Sequence, residues 1–188
     1  MRLSKEESAR RRAQIVEVAA GLFRAHGYNG IGVADLMKGA GLTHGGFYGY
    51  FESKEQLLAE ACEYAIGLSV QQWQTWIGHN PSDPVGELAQ LYLNETHRDT
   101  LARGCVISSL GADAARQGQH VRCALTAGIR DQLGILAKAL PGPVGRARKR
   151  AIATYAAIIG GLMLARAVDD RALSNEILAA TAAQLTQE

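Results

Sequence analysis

The sequence predicts an all-α protein, and three observations carry that reading. Apolar residues recur at helical spacing along nearly the whole chain. No strand-like alternation persists for five residues outside those stretches. Glycine and proline cluster at the joints, most clearly at Asn80-Pro81-Ser82-Asp83-Pro84 and Pro141-Gly142-Pro143.

About nine helices follow from the spacing. Ile15, Val18, Ala19, Leu22 and Phe23 share one face of a first helix, from about Lys5 to Ala25, which His26-Gly27 closes. Val33, Leu36, Met37 and Ala40 mark a short second helix closed by Gly39 and Gly41. Thr43 is placed to cap a very short third helix holding Phe47 and Tyr48, both phenylalanines there (Phe47, Phe51) being assigned to the core. Ser53 with Gln56 forms a capping box for a long fourth helix, which carries Leu57, Ala61, Leu68 and Trp76. A fifth helix spans Val85 to Tyr92, a sixth runs from Cys105 to Arg116, and a seventh carries Val121, Leu125, Ile129 and Leu136. The eighth, Arg146 to Val168, is apolar on every side between Ala151 and Ala165. Such a helix must be covered on every side. Either a second subunit covers it or it lies at the centre of one chain. The ninth runs from Ser174 to Thr186.

With 188 residues, 47% of them apolar and 20% charged, the chain can bury a core and is not a disordered polyelectrolyte. Its net charge of +2 lies entirely in residues 1–58, where 8 Lys/Arg face 6 Asp/Glu. Arg10, Arg11 and Arg12, with Arg2 and Lys5 ahead, make most of that excess. A second group, Arg146, Arg148, Lys149 and Arg150, reads as a solvated helix start or a second nucleic-acid patch. No apolar segment precedes residue 13, and the 15-residue run Ala151–Ala165 falls short of a membrane span of about 20 residues, so a cytoplasmic protein is expected. The three cysteines, Cys62, Cys105 and Cys123, form no metal or disulfide pattern, and no catalytic set, phosphate loop or dinucleotide fingerprint is present. Neither an enzyme nor a cofactor or metal site is expected.

The stretch Val33–Phe51 reads helix, tight turn, short helix, which is helix-turn-helix geometry. A short helix can enter the major groove of DNA end-on. There Thr43 could meet a phosphate and His44 a base edge. Gly45 and Gly46 would let the backbone approach closely unless they only loosen the loop, Tyr48 and Tyr50 could donate to phosphate, and Lys54 adds a cation.

These residues also carry a resemblance. Residues 10–58 resemble the N-terminal region of TetR/AcrR-type bacterial transcriptional regulators, on IVEVAAGLFRAHGY (15–28), VADLMKGAGL (33–42), THGGFYGYF (43–51) and SKEQLL (53–58). The THGGFY form is similar to one branch of that family, and GCVISSLGADAARQ (104–117) resembles that branch's C-terminal region. The resemblance implies a three-helix DNA-binding head (1–52) and a helical effector-binding and dimerisation domain (53–188). It also implies a homodimer that represses at a palindromic operator until an effector moves the fourth helix. The family often has a hydroxyl residue at the start of the second helix. Here Ile31 and Gly32 stand there, so that phosphate contact is made by backbone N–H, as at Gly32, or is absent. At Gly46 the family often has a small hydroxyl residue and at Gly49 an aromatic, so base reading falls more heavily on His44.

The last two helices would form the dimer interface, with Ile158, Gly161, Leu162, Ala165, Leu178 and Thr181 facing the mate. Trp73, Trp76, Tyr92, His97, Cys105 and Tyr155 are effector-pocket candidates or simply core aromatics and thiol. Little charge surrounds them, which points to an apolar or aromatic effector. Cys105 opens a helix just after Arg103, a setting that lowers thiol pKa and would suit an electrophile or oxidant sensor, or it is a small packed residue. Cys62 and Cys123 lie mid-helix and are expected to be inert. The alternative to a ligand-released repressor is a DNA-binding protein without a small ligand, nucleoid-associated or controlled by a protein partner.

Overall fold

A computed structural model describes residues 4–186; Arg2 of the basic N-terminal group lies outside them. Every regular element among those residues is helical. Helix α1 (Lys5–His26) starts at Ser4, whose hydroxyl accepts from Glu7 N–H, and stops at Gly27, where φ is +73°. Helix α2 (Val33–Gly39) ends on Gly41, also at φ +73°, so the chain reverses within three residues. A 3-10 turn, His44–Gly49, follows, and then α3 (Lys54–His79). The capping box at α3 is displaced by one residue: Ser53 Oγ accepts from Gln56 N–H, and Gln56 Oε1 accepts from Glu52 N–H rather than from Ser53.

Beyond α3 come α4 (Pro84–Tyr92), α5 (Glu95–Asp99), a 3-10 turn at Leu101–Arg103, α6 (Val106–Ala114), α7 (Gln119–Ala139), α8 (Val144–Ala167) and α9 (Arg171–Thr186). Helix α5 and the 101–103 turn were not expected. They are too short for apolar periodicity to show and depend on caps, such as Asn94 accepting from His97 N–H. Helix α9 starts three residues before the expected Ser174, because the Asp170 carboxylate accepts from Ala172 and Leu173 N–H. Ser174 instead turns inward, its Oγ donating to Ala165 O at 2.6 Å.

The two long helices α3 and α7 pack along each other in parallel, Glu55 beside Gly118 and Ile66 beside Gly128, while α8 and α9 form an antiparallel pair, α8 lying on α7 and α9 on α4. Trp73, Leu88, Leu136 and Ile158, one from each of α3, α4, α7 and α8, are essentially without solvent contact. Two close approaches set this geometry. A Cβ built on Gly128 of α7 would stand 2.0 Å from Ile66 Cγ2 of α3, and one on Gly161 of α8 would stand 2.9 Å from the Thr181 side chain of α9.

The expected dimer residues lie on the inner side of α8 and α9. Ile158, Leu162, Ala165 and Leu178 are buried within the single chain, and Gly161 and Thr181 face each other inside it. The apolar circumference of α8 is nevertheless only half covered. Ile152 (49% exposed), Met163 (37%) and Leu164 (59%) stay in solvent on the opposite face, with open space beside Gly160 between them. By length and composition α8 could cross a membrane, although its uncharged run is only 15 residues. Its other face is occupied by the core.

Glycine replacements on α7 test the packing. Gly128→Ala forces Ile66 aside and should lower stability by about 1–3 kcal/mol. Gly134→Ala, where a Cβ meets nothing within 4 Å, should raise it by roughly 0.5–1 kcal/mol. Thermal unfolding of the two variants gives shifts of opposite sign if the α3–α7 contact is as described.

Candidate nucleic-acid interface and effector pocket

The head is organised by Phe47. Its ring is fully buried and lies 5.7 Å from Phe51, with Leu36 and Met37 also buried in the head. Seating Phe47 inward turns the rest of the 44–49 segment outward: Thr43, His44, Gly45, Tyr48 (72% exposed) and Gly49 all face solvent, while Gly46 and Tyr50 are half-buried. Thr43 occupies the cap position but makes no side-chain cap bond, so its hydroxyl is not engaged there. Gly32, at the cap of α2, likewise has no side-chain cap.

The basic residues divide unequally. Arg12 is occupied by the fold: both terminal nitrogens pair with Glu60 of α3, Nε donates to Tyr50 O at 3.3 Å, and the guanidinium lies 4.6 Å from the Phe51 ring centre. It fixes the end of the outward segment on α1 and α3. Arg11 pairs with Glu7 at 3.0 Å. Lys54 donates to Tyr28 O and stands over the Tyr28 ring, and burial lowers its pKa. It therefore ties down the α1–α2 loop besides carrying charge beside the outward segment. Arg146 and Lys149 are exposed on the first turns of α8.

A cavity of about 310 Å3 lies between α3, α4, α5 and the 100–105 segment. Its lining includes five of the six expected residues: Trp73, Trp76, Tyr92, His97 and Cys105. Tyr155 does not line it. Its ring packs behind Trp73 at 5.6 Å, and its hydroxyl donates to Gln132 Oε1 at 2.8 Å, so it belongs to the core. Trp73, Tyr92 and His97 form an edge-to-face series, with centroids 5.8 and 4.3 Å apart. The Tyr92 hydroxyl is buried without a hydrogen bond among the described residues.

His97 is locked in one tautomer. Cys105 N–H donates to Nε2 at 3.0 Å, so Nδ1 carries the proton and donates to Tyr92 O at 2.8 Å. Burial lowers its pKa to about 4, opposed by the bond to Tyr92 O and reinforced by the charge of Arg166. Arg166 of α8 donates to His97 O (2.7 Å), Arg98 O (3.1 Å), Ser108 Oγ (2.9 Å) and Ser109 Oγ (3.2 Å). Sequence reasoning missed this hub; its only signal was a cation directly ending the apolar run of α8. A Cβ on Gly104 would stand 2.6 Å from Arg166 Nη2, so the glycine that read as a helix break is also required by packing.

Cys105 is 3% exposed and sits at the cap position of α6. Cys62 is buried and its thiol pKa is pushed up to about 12 by that burial, whereas Cys123 is exposed on α7. The 101–103 turn also touches the head: Ala102 O accepts from Arg24 of α1, through Nε at 2.9 Å and Nη2 at 2.6 Å.

Comparisons with known proteins agree with this geometry. Residues 15–61 match the family described as bacterial regulatory proteins, tetR family. The chain is 34% identical over 62 residues to YerO of Bacillus subtilis, an HTH-type transcriptional regulator, covering 33% of this chain and 22% of that one. It is 27% identical over 117 residues to the HTH-type transcriptional repressor NemR of Escherichia coli, covering 61% and 59%. It thus spans less than two thirds of either relative. The crystal structure of reduced E. coli NemR superposes with a TM-score of 0.79 at 22% identity, over 94% of this chain and 95% of that one.

The His97 environment has a pH signature. The folded state holds the ring neutral down to about pH 4, whereas an unfolded His protonates near 6.5. The unfolded chain therefore binds more protons across that window, and stability should fall as pH drops from about 6.5 to 4, by on the order of 2–3 kcal/mol. Denaturant titrations at stepped pH should show this loss, and His97→Gln should flatten it. Residues 15–61 thus match the tetR family of bacterial regulatory proteins, and the chain has a TetR-like fold, an N-terminal helix-turn-helix followed by a helical C-terminal region.

Proposed function

We propose that the protein is a cytoplasmic DNA-binding transcriptional regulator of the THGGFY branch, without enzymatic activity. It represses by gripping a palindromic operator as a homodimer, and a small apolar or aromatic effector, or thiol modification at Cys105, releases it. Residues 1–52 read DNA and 53–188 sense and pair. Thr43 and the Gly32 N–H hold phosphates, with Tyr48, Tyr50 and Lys54 beside them, and His44 reads a base edge over the bare backbone of Gly45 and Gly46.

The observation that carries this reading is the lack of any internal reason for glycine in the outward segment. A Cβ on Gly45 or Gly49 meets nothing within 4 Å, one on Gly46 meets only Met37 Cε at 3.8 Å, and none of the three has positive φ. An outside surface that comes close to the backbone supplies the reason, and a major groove is such a surface. The exposed face of α8 (Ile152, Met163, Leu164, open beside Gly160) is where the mate docks. A two-fold dimer then imposes its symmetry on the operator.

Thiol sensing is a second reading, favoured by the position of Cys105 against His97 and among arginines. Its thiolate would add to an activated carbon–carbon double bond, forming the C–S bond while the thiol proton ends on the neighbouring carbon. The test uses a Cys123→Ser background, because Cys123 is exposed and open to the same reagent, contrary to the expectation that it is inert. If Cys105→Ser in that background keeps full release by the electrophile, thiol sensing falls.

Genomic fragments selected with the purified protein should share a two-fold symmetric site. His44→Ala should weaken binding to that site by about 1–3 kcal/mol and relax its sequence preference. Gly45→Ala should leave thermal stability unchanged or higher while weakening operator binding. A Gly45→Ala protein that binds as tightly as wild type contradicts the close approach. A small molecule that dissociates the complex separates this reading from a DNA-binding protein without a ligand.

A further inference from the structure

The effector pocket carries one lasting charge. Its walls come from α3 (with Trp73 and Trp76), α4 (with Tyr92), α5 with its cap (with His97) and the 100–105 segment (with Arg103). No carboxylate is among them. His97 is neutral, with both ring nitrogens committed inside the chain. Arg103 is exposed, and its side chain makes no ion pair or hydrogen bond among the described residues, unlike Arg12, Arg24, Arg98 and Arg166. A groove that shares Ser69, Gln72, Arg103 and Gly104 with the pocket continues toward Glu17 and Arg24 of α1. There Arg24 is held by Ala102 O, and Glu17 stands beside Tyr64.

We propose that the pocket selects an aromatic carboxylate, with its ring against Trp73 and Trp76 and its carboxylate on Arg103, and that the 101–103 turn passes the capture to the DNA head through Ala102 O and Arg24. This deepens the function proposed above and rests on it for the DNA response. An unpaired guanidinium beside an aromatic wall recognises a planar carboxylate by charge-assisted, two-pronged hydrogen bonding. The transmission follows from adjacency. Arg103 and Ala102 are consecutive in a three-residue turn, one lining the pocket and the other holding the last part of α1. A ligand that draws in the Arg103 backbone along with its side chain shifts the adjoining Ala102 carbonyl, because the two share one three-residue turn.

The chain's only two tryptophans are Trp73 and Trp76, so quenching of tryptophan fluorescence reads pocket occupancy without DNA. The probes are benzoate, 3-phenylpropionate and 4-phenylbutyrate, each against its neutral carboxamide. At least one acid should bind about tenfold or more tightly than its amide. Arg103→Gln should abolish that preference while amide binding persists. Arg24→Ala should keep acid binding, which also shows that it is folded, but the acid should no longer change its affinity for the selected DNA. The proposal is overturned if no acid quenches at millimolar concentration, if amides bind as well as acids, if Arg103→Gln keeps the preference, or if Arg24→Ala responds to acid as wild type does. Acid binding through Arg103 in a protein that selects no DNA sequence would overturn the regulator reading and leave the ligand assignment standing.

Discussion

Much of the C-terminal architecture depends on the guanidinium of Arg166. It is drawn out of water, and burial lowers its pKa, yet it reaches two main-chain carbonyls of α5 and two hydroxyls of α6. An irregular segment packed against a core must find partners for its peptide groups, or each unpaired one costs about 1–3 kcal/mol. Arg166 supplies several of those partners from one rigid helix. Arg98 does the same on the neighbouring side, joining α5 to Ser174 and Asn175 of α9. The pocket wall therefore has one arrangement, with His97 in one tautomer and Gly104 pressed against the guanidinium.

That rigidity gives the pocket its place in the molecule. The segment running from α5 to α6 lines the cavity on one side and holds Arg24 of α1 on the other. The head has its own internal clamp, Arg12 on Glu60 and Tyr50 O, which joins α1, the outward segment and α3 into one unit. On the proposed mechanism, a displacement applied to α1 at Arg24 would reach residues 43–50 through this clamp. The charge distribution suits this division. Several basic residues near the head are committed to internal contacts, so the outward segment offers hydroxyls, an imidazole and bare backbone more than charge, which is how the proposed DNA contact would be made by a chain with a net charge of only +2.

The long helices were legible because burial on one face imposes a repeat that survives in the residues themselves, as with Ile15, Val18, Ala19, Leu22 and Phe23. The outward segment was legible for a related reason: Phe47 and Phe51 mark the inside, so the remaining residues mark the outside. Helix α5 and the 101–103 turn were not, since five and three residues are too few for a repeat. Neither was the face of α8 that remains open. An all-apolar helix does not say which side its own chain covers, and Ile158 and Leu162 proved to be the inner side while Ile152 and Leu164 are the outer one. Five pocket residues were found as aromatics and a thiol at helical spacing. The arginines that position them were not, because a cation that reaches across the fold to carbonyls leaves no local pattern in the sequence.

If Arg166, the 97–105 segment and Arg24 join the pocket wall to the N-terminal head, amide hydrogen exchange on Arg166→Met should show it. Exchange should quicken in residues 97–105 and, with them, in the last turn of α1 up to Gly27, while the α3–α7 core keeps its protection. Faster exchange confined to α5 and α6, with the end of α1 unchanged, would contradict it.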